Sequence, residues 1–231
     1  MSGDADSQAA GLVGVLARSR ELGFLGPGPL DEQIAHSQSF GKLVGEFVDR
    51  GESLPSSPSS PADSYRGRFL DLGAGGGLPG LVLLAQWPDS TAVLVDAQEK
   101  RCRFLAEAVA DLGWEDRAQV RCGRAEALAR DPELRGAFGL VVARGFGPPP
   151  VTAECGVGFL SPAGMLAVTE PPETADPSND RWPAGGLAEL GFAPAVLLRS
   201  LQAGAACLKT VEIAGERWPR RDGVPGKRPL W

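Results

Sequence analysis

The sequence is poor in the residues that build metal centres. It has one histidine and four cysteines in 231 residues, and no two of the cysteines form a C-x-x-C pair. Structural zinc needs clustered thiolate and imidazole ligands, so we expect no metal. Widely spaced thiols fit a reducing compartment, which predicts a cytoplasmic protein. The cysteines are Cys102, Cys122, Cys155 and Cys207.

Long apolar runs and a basic charge balance are also missing. No stretch approaches the roughly 20 apolar residues that a membrane-spanning helix needs, and the acidic start does not resemble a secretory signal. The net charge is −6. A protein that binds nucleic acid over a broad surface is usually basic, so this balance counts against RNA as a stand-alone target.

Basic residues nevertheless concentrate at the C-terminus. The segment from Arg217 to Trp231 holds five basic residues against one acid. From charge alone we would favour a solvated terminus, but a basic tail on an acidic body can also contact phosphate. The candidate RNA-binding residues are Arg220, Arg221, Lys227 and Arg228.

The most informative pattern lies in residues 69–80. A short apolar run ends in Asp71, glycines follow, and Leu78 and Pro79 begin a helical pattern. A strand, a glycine turn and a helix N-terminus in that order form a nucleotide-type pocket, because glycines let the backbone approach a ligand and the first helical N–H groups point at it.

Two ligands compete for this pocket. Gly75, Gly77 and Gly80 satisfy G-x-G-x-x-G, and Asp96 lies roughly 20 residues on, as in dinucleotide enzymes. The alternative pattern is an acid, one residue and G-x-G, which Asp71-Leu72-Gly73-Ala74-Gly75 fits. A carboxylate suits the cationic S-adenosylmethionine and would repel a pyrophosphate. We therefore favour S-adenosylmethionine over a dehydrogenase cofactor or a purely structural loop.

From residue 67 the pattern alternates between strands and helices, which predicts a parallel sheet covered on both faces. We expect strands at 68–72, 91–96, 119–122, 140–143 and 165–169, a final hairpin near 195–199 and 207–213, and helices at 78–86, 100–112 and 152–159. The predicted fold class is α/β, a Rossmann-like class I methyltransferase. Its sheet has about seven strands, mostly parallel, with helices on both faces and an N-terminal helical extension.

The expected organisation has four parts. Residues 1–50 form the helical extension, which a Gly-Pro-Gly-Pro run at 26–29 interrupts. A Ser/Pro-rich linker or loop covers 51–66. The methyltransferase domain spans 67–214, and the basic tail spans 215–231.

Ligands of such sheets lie at the carboxyl ends of the strands. Gly73 and Gly75 should therefore approach the methionine portion of the cofactor. Asp96, which ends the second strand, should accept hydrogen bonds from the ribose hydroxyls. Ala125 and Glu126 follow the third strand and are expected near the adenine ring, unless they only begin a solvated helix.

Arg144 ends the fourth predicted strand. A guanidinium at the end of an apolar strand needs an anion or acceptors, which favours a role in the cleft. The following residues, Gly145 and Phe146, lack the Asn/Asp-Pro-Pro-aromatic motif of amino-group methyltransferases.

The stretch Asp71–Leu81 closely resembles the signature of the RsmG/GidB family, the 16S ribosomal RNA guanine-N7 methyltransferases. Residues 96–105, 123–126 and 142–144 resemble further elements of that family, and residues 218–230 resemble its basic Pro-Arg…Gly-x-Pro…Pro-Leu tail. The resemblance covers roughly residues 68–231. It implies 16S ribosomal RNA or the small ribosomal subunit as the partner. We also expect no membrane contact and a monomer. The resemblance also implies cofactor contacts from Gly73, Leu78, Ala125, Glu126 and Arg144.

The sequence departs from the family in two places. Val168-Thr169-Glu170 stands where the family has a lysine followed by glycine, and His36-Ser37-Gln38-Ser39-Phe40 lacks the acid of the family's His-x-x-Asp-Ser element. Two alternatives therefore stay open: a methyltransferase with another RNA or small-molecule substrate, and a non-catalytic cofactor-binding paralogue. Guanine N7 has no proton to lose, so its methylation needs positioning rather than a general base.

Overall fold

The computed structural model describes residues 2–50, 65–171 and 180–231. The predicted linker at 51–66 lies outside the described residues except for its last two positions. The helical prediction for the N-terminal region is confirmed, because two helices flank the interruption at 26–29.

A seven-stranded sheet forms the centre of the described chain, in the order β3-β2-β1-β4-β5-β7-β6. The first five strands are parallel, and β7 runs antiparallel to both β5 and β6. The predicted fold class is confirmed. The strands are β1 (Arg68–Leu72), β2 (Thr91–Asp96), β3 (Ala118–Cys122), β4 (Phe138–Ala143), β5 (Leu160–Glu170), β6 (Val196–Arg199) and β7 (Gly204–Lys209).

Eight helices are present in the described ranges. The three predicted in the catalytic domain are confirmed with ends shifted by up to three residues, whereas α5, α7 and α8 were not predicted because each has only four to six residues. The helices are α1 (Ser2–Glu21), α2 (Leu30–Arg50), α3 (Gly80–Gln86), α4 (Glu99–Asp111), α5 (Ala125–Leu128), α6 (Pro149–Val157), α7 (Ala184–Glu189) and α8 (Val224–Lys227).

Two strand predictions were wrong in extent. The fifth strand begins at Leu160 rather than at 165, and β7 spans Gly204–Lys209 rather than 207–213. The first three residues of β7 are Gly-Ala-Ala, which carry no apolar pattern, yet they pair with Val168–Glu170 of β5. These small residues are buried in the sheet, but their sequence lacks the large apolar side chains from which a strand is predicted.

Both faces of the central strands β1, β2 and β4 are buried, which explains the apolar character of these strands. On one face Phe69 packs in a core with Leu16 of α1 and Phe40 of α2. On the other face Leu70 packs in a core with Phe159 and with Trp218 of the C-terminal segment. The N-terminal helices and the tail therefore complete the two faces of one folded unit.

Candidate functional site

The glycine turn after β1 has a conformation and surroundings that require glycine. Gly73 has φ +77°, and its N–H donates to the carbonyl of Val95 at 2.9 Å. A Cβ on Gly73 would stand 2.6 Å from the ring of Phe146. Any side chain here would meet both backbone strain and a clash with Phe146, so the position requires glycine.

Asp96, at the end of β2, fixes this turn from the next strand. One carboxylate oxygen, Oδ2, accepts the N–H of Gly75 at 3.0 Å, and the other, Oδ1, accepts the N–H of Gln98 at 2.8 Å. The guanidinium of Arg101 lies 3.7 Å from Oδ2. A carboxylate oxygen has two lone pairs, so each oxygen keeps capacity for a ligand hydroxyl.

A cavity of about 190 Å³ opens at these carboxyl ends of the strands. The predicted residues Gly73, Asp96 and Ala125 line it together. Sequence reasoning did not assign the other lining residues, although each adjoins a strand end or a motif that it had identified. They are Val95, Ala97, Gln98, Arg101, Gly123, Gly145 and Phe146.

Asp71 lies beneath the turn rather than in the cavity. Its side chain is fully buried, and Oδ2 accepts the N–H of Gly80 at 2.8 Å. Oδ1 has no hydrogen-bond partner in the described part of the chain. Burial raises the pKa of this carboxyl to about 7, against the opposing effect of the Gly80 hydrogen bond. Asp71 therefore ties β1 to α3 and places an acid close behind the turn.

Arg144 does not line the cavity. Its guanidinium donates to the hydroxyl of Ser37 at 3.2 Å and to the carbonyl of Gln33 at 3.5 Å, so it joins the end of β4 to α2. Burial lowers the pKa of Arg144, and the charge of Asp71 opposes that shift. Burial and the charge of Arg144 also lower the pKa of His36, one residue before Ser37.

Three other predicted cofactor residues do not line the cavity. Leu78 packs in the hydrophobic core, and Gly75 contacts Asp96 through its N–H. Glu126 is buried, and its Oε1 accepts hydrogen bonds from Arg124 at 2.7 Å and from the N–H of Gly223 at 2.9 Å. The structure places the Glu126 carboxylate against the C-terminal segment.

The C-terminal segment is packed, so the expectation of a solvated terminus was wrong. Trp218 is buried in the core, and Arg220 donates through its backbone N–H and its guanidinium to the fully buried carboxylate of Glu154. Arg220 is therefore engaged inside the protein and is not a free phosphate-binding cation. Three other predicted RNA-binding side chains are exposed: Arg221, Lys227 and Arg228.

Glu170, which stands near the family's lysine position, points inward. It is buried and accepts hydrogen bonds from Arg181 Nε and Trp182 Nε1, both at 3.0 Å. The acid therefore ties Arg181 and Trp182 to the end of β5, and its charge is neutralised by Arg181.

No group of three or more histidine, cysteine or acidic side chains in the described ranges could hold a metal ion. In the same ranges, none of the helices has the length and apolar character to cross a membrane.

The residues around the cavity fit S-adenosylmethionine. Gly73 lines the cavity without a side chain, so its backbone can approach a ligand, and Asp96 offers carboxylate lone pairs to a ribose. The buried acid Asp71, with one oxygen unpartnered among the described residues, favours a cation nearby. When bound, the cofactor would supply an electrophilic methyl group.

The strand order and this site define a class I S-adenosylmethionine-dependent methyltransferase. The fold is shared with the CurJ carbon methyltransferase, with a TM-score of 0.54, 16% identity and coverage of 76% of this chain and 54% of that chain. It is also shared with the cofactor-bound protein Rv0187 from MTB, with a TM-score of 0.55, 15% identity and coverage of 88% and 90%.

Sequence comparison identifies the family. The GidB family model, rRNA small subunit methyltransferase G, matches residues 52–171. Ribosomal RNA small subunit methyltransferase G of Prochlorococcus marinus is 33% identical over 71% of this chain and 68% of its own length. The protein of the same name from Pelotomaculum thermopropionicum is 32% identical over 81% and 78%. The chain belongs to the GidB family, as its motifs predicted.

Proposed function

We propose that the protein transfers a methyl group from S-adenosylmethionine to N7 of a guanine in 16S ribosomal RNA. Membership of the GidB family supports the reaction class and the substrate, because the relatives are named as methyltransferases of small-subunit ribosomal RNA. The lining of the cavity supports the choice of acceptor atom.

The observation that carries this proposal is the shortage of proton acceptors among the described residues that line the cavity. Of its lining residues, only Asp96 and Arg101 have ionisable side chains. Arg101 cannot accept a proton, and Asp96 is already held by the N–H groups of Gly75 and Gln98. An amino or hydroxyl acceptor must lose a proton during methylation, whereas guanine N7 presents a free lone pair. A site that positions without a base suits N7.

The exposed cations of the C-terminal segment supply a surface for RNA. Arg221 and Lys227 flank Gly223, which contacts Glu126 beside the cavity. Contacts from such cations to phosphates fix the orientation of an RNA without reading its sequence. We also infer a monomer, and a cytoplasmic location consistent with four free thiols.

The decisive experiment measures methyl transfer from labelled S-adenosylmethionine to undermethylated small ribosomal subunits, followed by nucleoside analysis of the RNA. Label in 7-methylguanosine would support the proposal. Arg144→Ala serves as a comparison, since loss of its contacts to Gln33 and Ser37 should disturb α2 beside the site. We expect transfer to fall by at least about tenfold.

Two other results would point to the alternatives. Cofactor binding with methylation of a different RNA position or of a small molecule would indicate a changed acceptor. Cofactor binding without transfer to any acceptor would indicate a silent paralogue. The inward-facing Glu170 favours neither, because its carboxylate is held by Arg181 and Trp182.

A further inference from the structure

The short helix α5 is shared by the cofactor cavity and the C-terminal segment. Gly123 and Ala125 line the cavity at the start of α5. The next side chain, Glu126, turns away and accepts the N–H of Gly223 at 2.9 Å. Glu126 and Gly223, which are 97 positions apart in the chain, are thus hydrogen-bonded next to Ala125, a residue of the cavity wall.

The Glu126 carboxylate is a charged group, and its burial is unfavourable unless its contacts compensate for the lost water. Only 4% of its side chain is exposed. A buried carboxylate is tolerated when hydrogen bonds and a countercharge compensate for lost water. Burial raises the pKa of Glu126, but hydrogen bonds from Arg124 and from Gly223 outweigh that effect, and the net shift is downward. The group is therefore ionised at neutral pH.

The contact to Gly223 is one of the contacts that fix the exposed cations; Arg220, which is held by Glu154, also donates to the carbonyl of Arg228 at 2.7 Å. Gly223 has φ +74° and is the N-cap of α8, whose last residue is Lys227. Arg221 stands two residues before it. A second side chain, Arg130, links the same two segments, because it donates to the carbonyl of Pro219 and to the carbonyl of Glu126. Glu126 is the only one of these groups that contacts the N-terminus of α8.

We propose that Glu126 is a positioning residue whose carboxylate sets the distance between the cofactor cavity and the cations Arg221 and Lys227. Its role is to present the C-terminal segment to the substrate, not to contact the cofactor. The part that concerns RNA rests on the proposed function, whereas the part that concerns the segment's position does not.

Hydrogen exchange tests the position of the segment directly. In Glu126→Ala, amide exchange over residues 223–228 should accelerate by at least about tenfold, as expected for loss of a hydrogen bond to a charged group. Glu126→Asp withdraws the carboxylate by one methylene and keeps its charge, so it should also accelerate exchange. It replaces the alanine variant in the test if that variant folds poorly. Glu126→Gln keeps an acceptor oxygen and should restore most of the protection.

Arg124→Ala is the matched control. Arg124 donates to the same oxygen of Glu126 but, within the described residues, makes no hydrogen bond to the backbone of the C-terminal segment, so its removal leaves the Gly223 bond in place. Exchange over residues 223–228 should then stay within about threefold of the unsubstituted protein. Unchanged exchange in both Glu126→Ala and Glu126→Asp would overturn the proposal.

Binding and kinetics separate positioning from cofactor contact. Glu126→Ala should raise KM for small ribosomal subunits by about tenfold and leave kcat and the calorimetric affinity for S-adenosylmethionine within about twofold. A comparable loss of cofactor affinity would instead assign the side chain to the cofactor and overturn the proposal, as would an unchanged KM. If the unsubstituted protein fails to methylate the subunits, the proposed function fails, while the exchange measurements still decide the position of the segment.

Discussion

The carboxylate of Asp71 accepts the N–H of Gly80 at 2.8 Å, so the end of β1 is tied to the first residue of α3. A Cβ on residue 80 would collide with that carboxylate and stand 2.7 Å from Leu94. Neither neighbour can move easily, because both are fully buried. The glycine that ends the turn motif is therefore required by close packing.

We expect Gly80→Ala to reduce the free energy of unfolding by about 1–3 kcal/mol, the usual cost of an added methyl group in a packed core. Urea denaturation would measure it. Gly14→Ala is the control, since a Cβ at this exposed position of α1 meets nothing within 4 Å. That change should be neutral or stabilise the helix by up to about 1 kcal/mol. Equal effects of the two substitutions would contradict the packing argument.

Asp71 should also make stability depend on pH. Burial raises its pKa from 3.8 to about 7 in the folded protein. Between these values the folded chain holds a proton that the unfolded chain releases, so the stabilising contribution is complete below the lower value and is lost as pH rises to about 7. Asp71→Asn cannot titrate and should flatten this part of the curve.

The measurement is the free energy of unfolding of both proteins at several pH values from 4 to 8. As pH rises, the free energy of unfolding of the unsubstituted protein should fall relative to that of Asp71→Asn, and the difference should level off above about pH 7. Parallel curves would mean that the carboxyl does not take up a proton on folding.

The core of the fold could be predicted because its strands are buried on both faces. This burial makes Phe69–Leu72 and Thr91–Asp96 almost wholly apolar, with one acid, Asp71 or Asp96, at or next to the end of each strand. The Gly-Ala-Ala start of β7 could not be predicted, since its membership of the sheet depends on pairing with β5, more than 30 residues earlier.

The site could be predicted only as far as backbone position determines it. Gly73 and Asp96 end neighbouring strands, so their meeting at one edge follows from the topology. The directions of the Arg144 and Glu126 side chains depend on partners distant in sequence. Those partners are Ser37, 107 residues away, and Gly223, 97 residues away.

Arg220 and Arg221 should behave differently although they are adjacent. Removal of Arg220 leaves the fully buried carboxylate of Glu154 without its guanidinium partner. We expect Arg220→Ala to cost about 3–5 kcal/mol of folding stability. Arg221→Ala changes an exposed side chain and should stay within about 0.5 kcal/mol.

RNA binding should show the reverse order: under conditions where both variants are folded, Arg221→Ala should affect it more than Arg220→Ala. Arg221→Ala should weaken binding to small-subunit RNA and reduce the salt dependence of the affinity by roughly one unit of slope. Thermal unfolding and binding at two salt concentrations would check both. A stable Arg220→Ala protein, or an Arg221→Ala protein with unaltered salt dependence, would contradict the assignment.

Thiol labelling should report how the cysteines are buried. Cys122 is exposed, whereas the other three are buried. Burial raises the pKa of Cys207 to about 12, and burial together with the neighbouring Cys122 thiol raises the pKa of Cys102 to about 12. Burial raises the pKa of Cys155 as well. Because the thiolate is the nucleophile, these three should react slowly even in alkaline buffer.

Iodoacetamide at pH 8 should therefore add one label rapidly to the folded protein, and peptide mass spectrometry should locate it at Cys122. Cys122→Ser should leave no fast-reacting thiol, and denaturant should expose all the remaining cysteines. Rapid labelling of Cys102 in the folded protein would show that the face of α4 that carries this thiol is accessible to solvent, whereas the structure buries it. Since Cys102 also donates to the carbonyl of Asp96 at 3.2 Å, such labelling would mean that the edge of the cofactor cavity opens in solution.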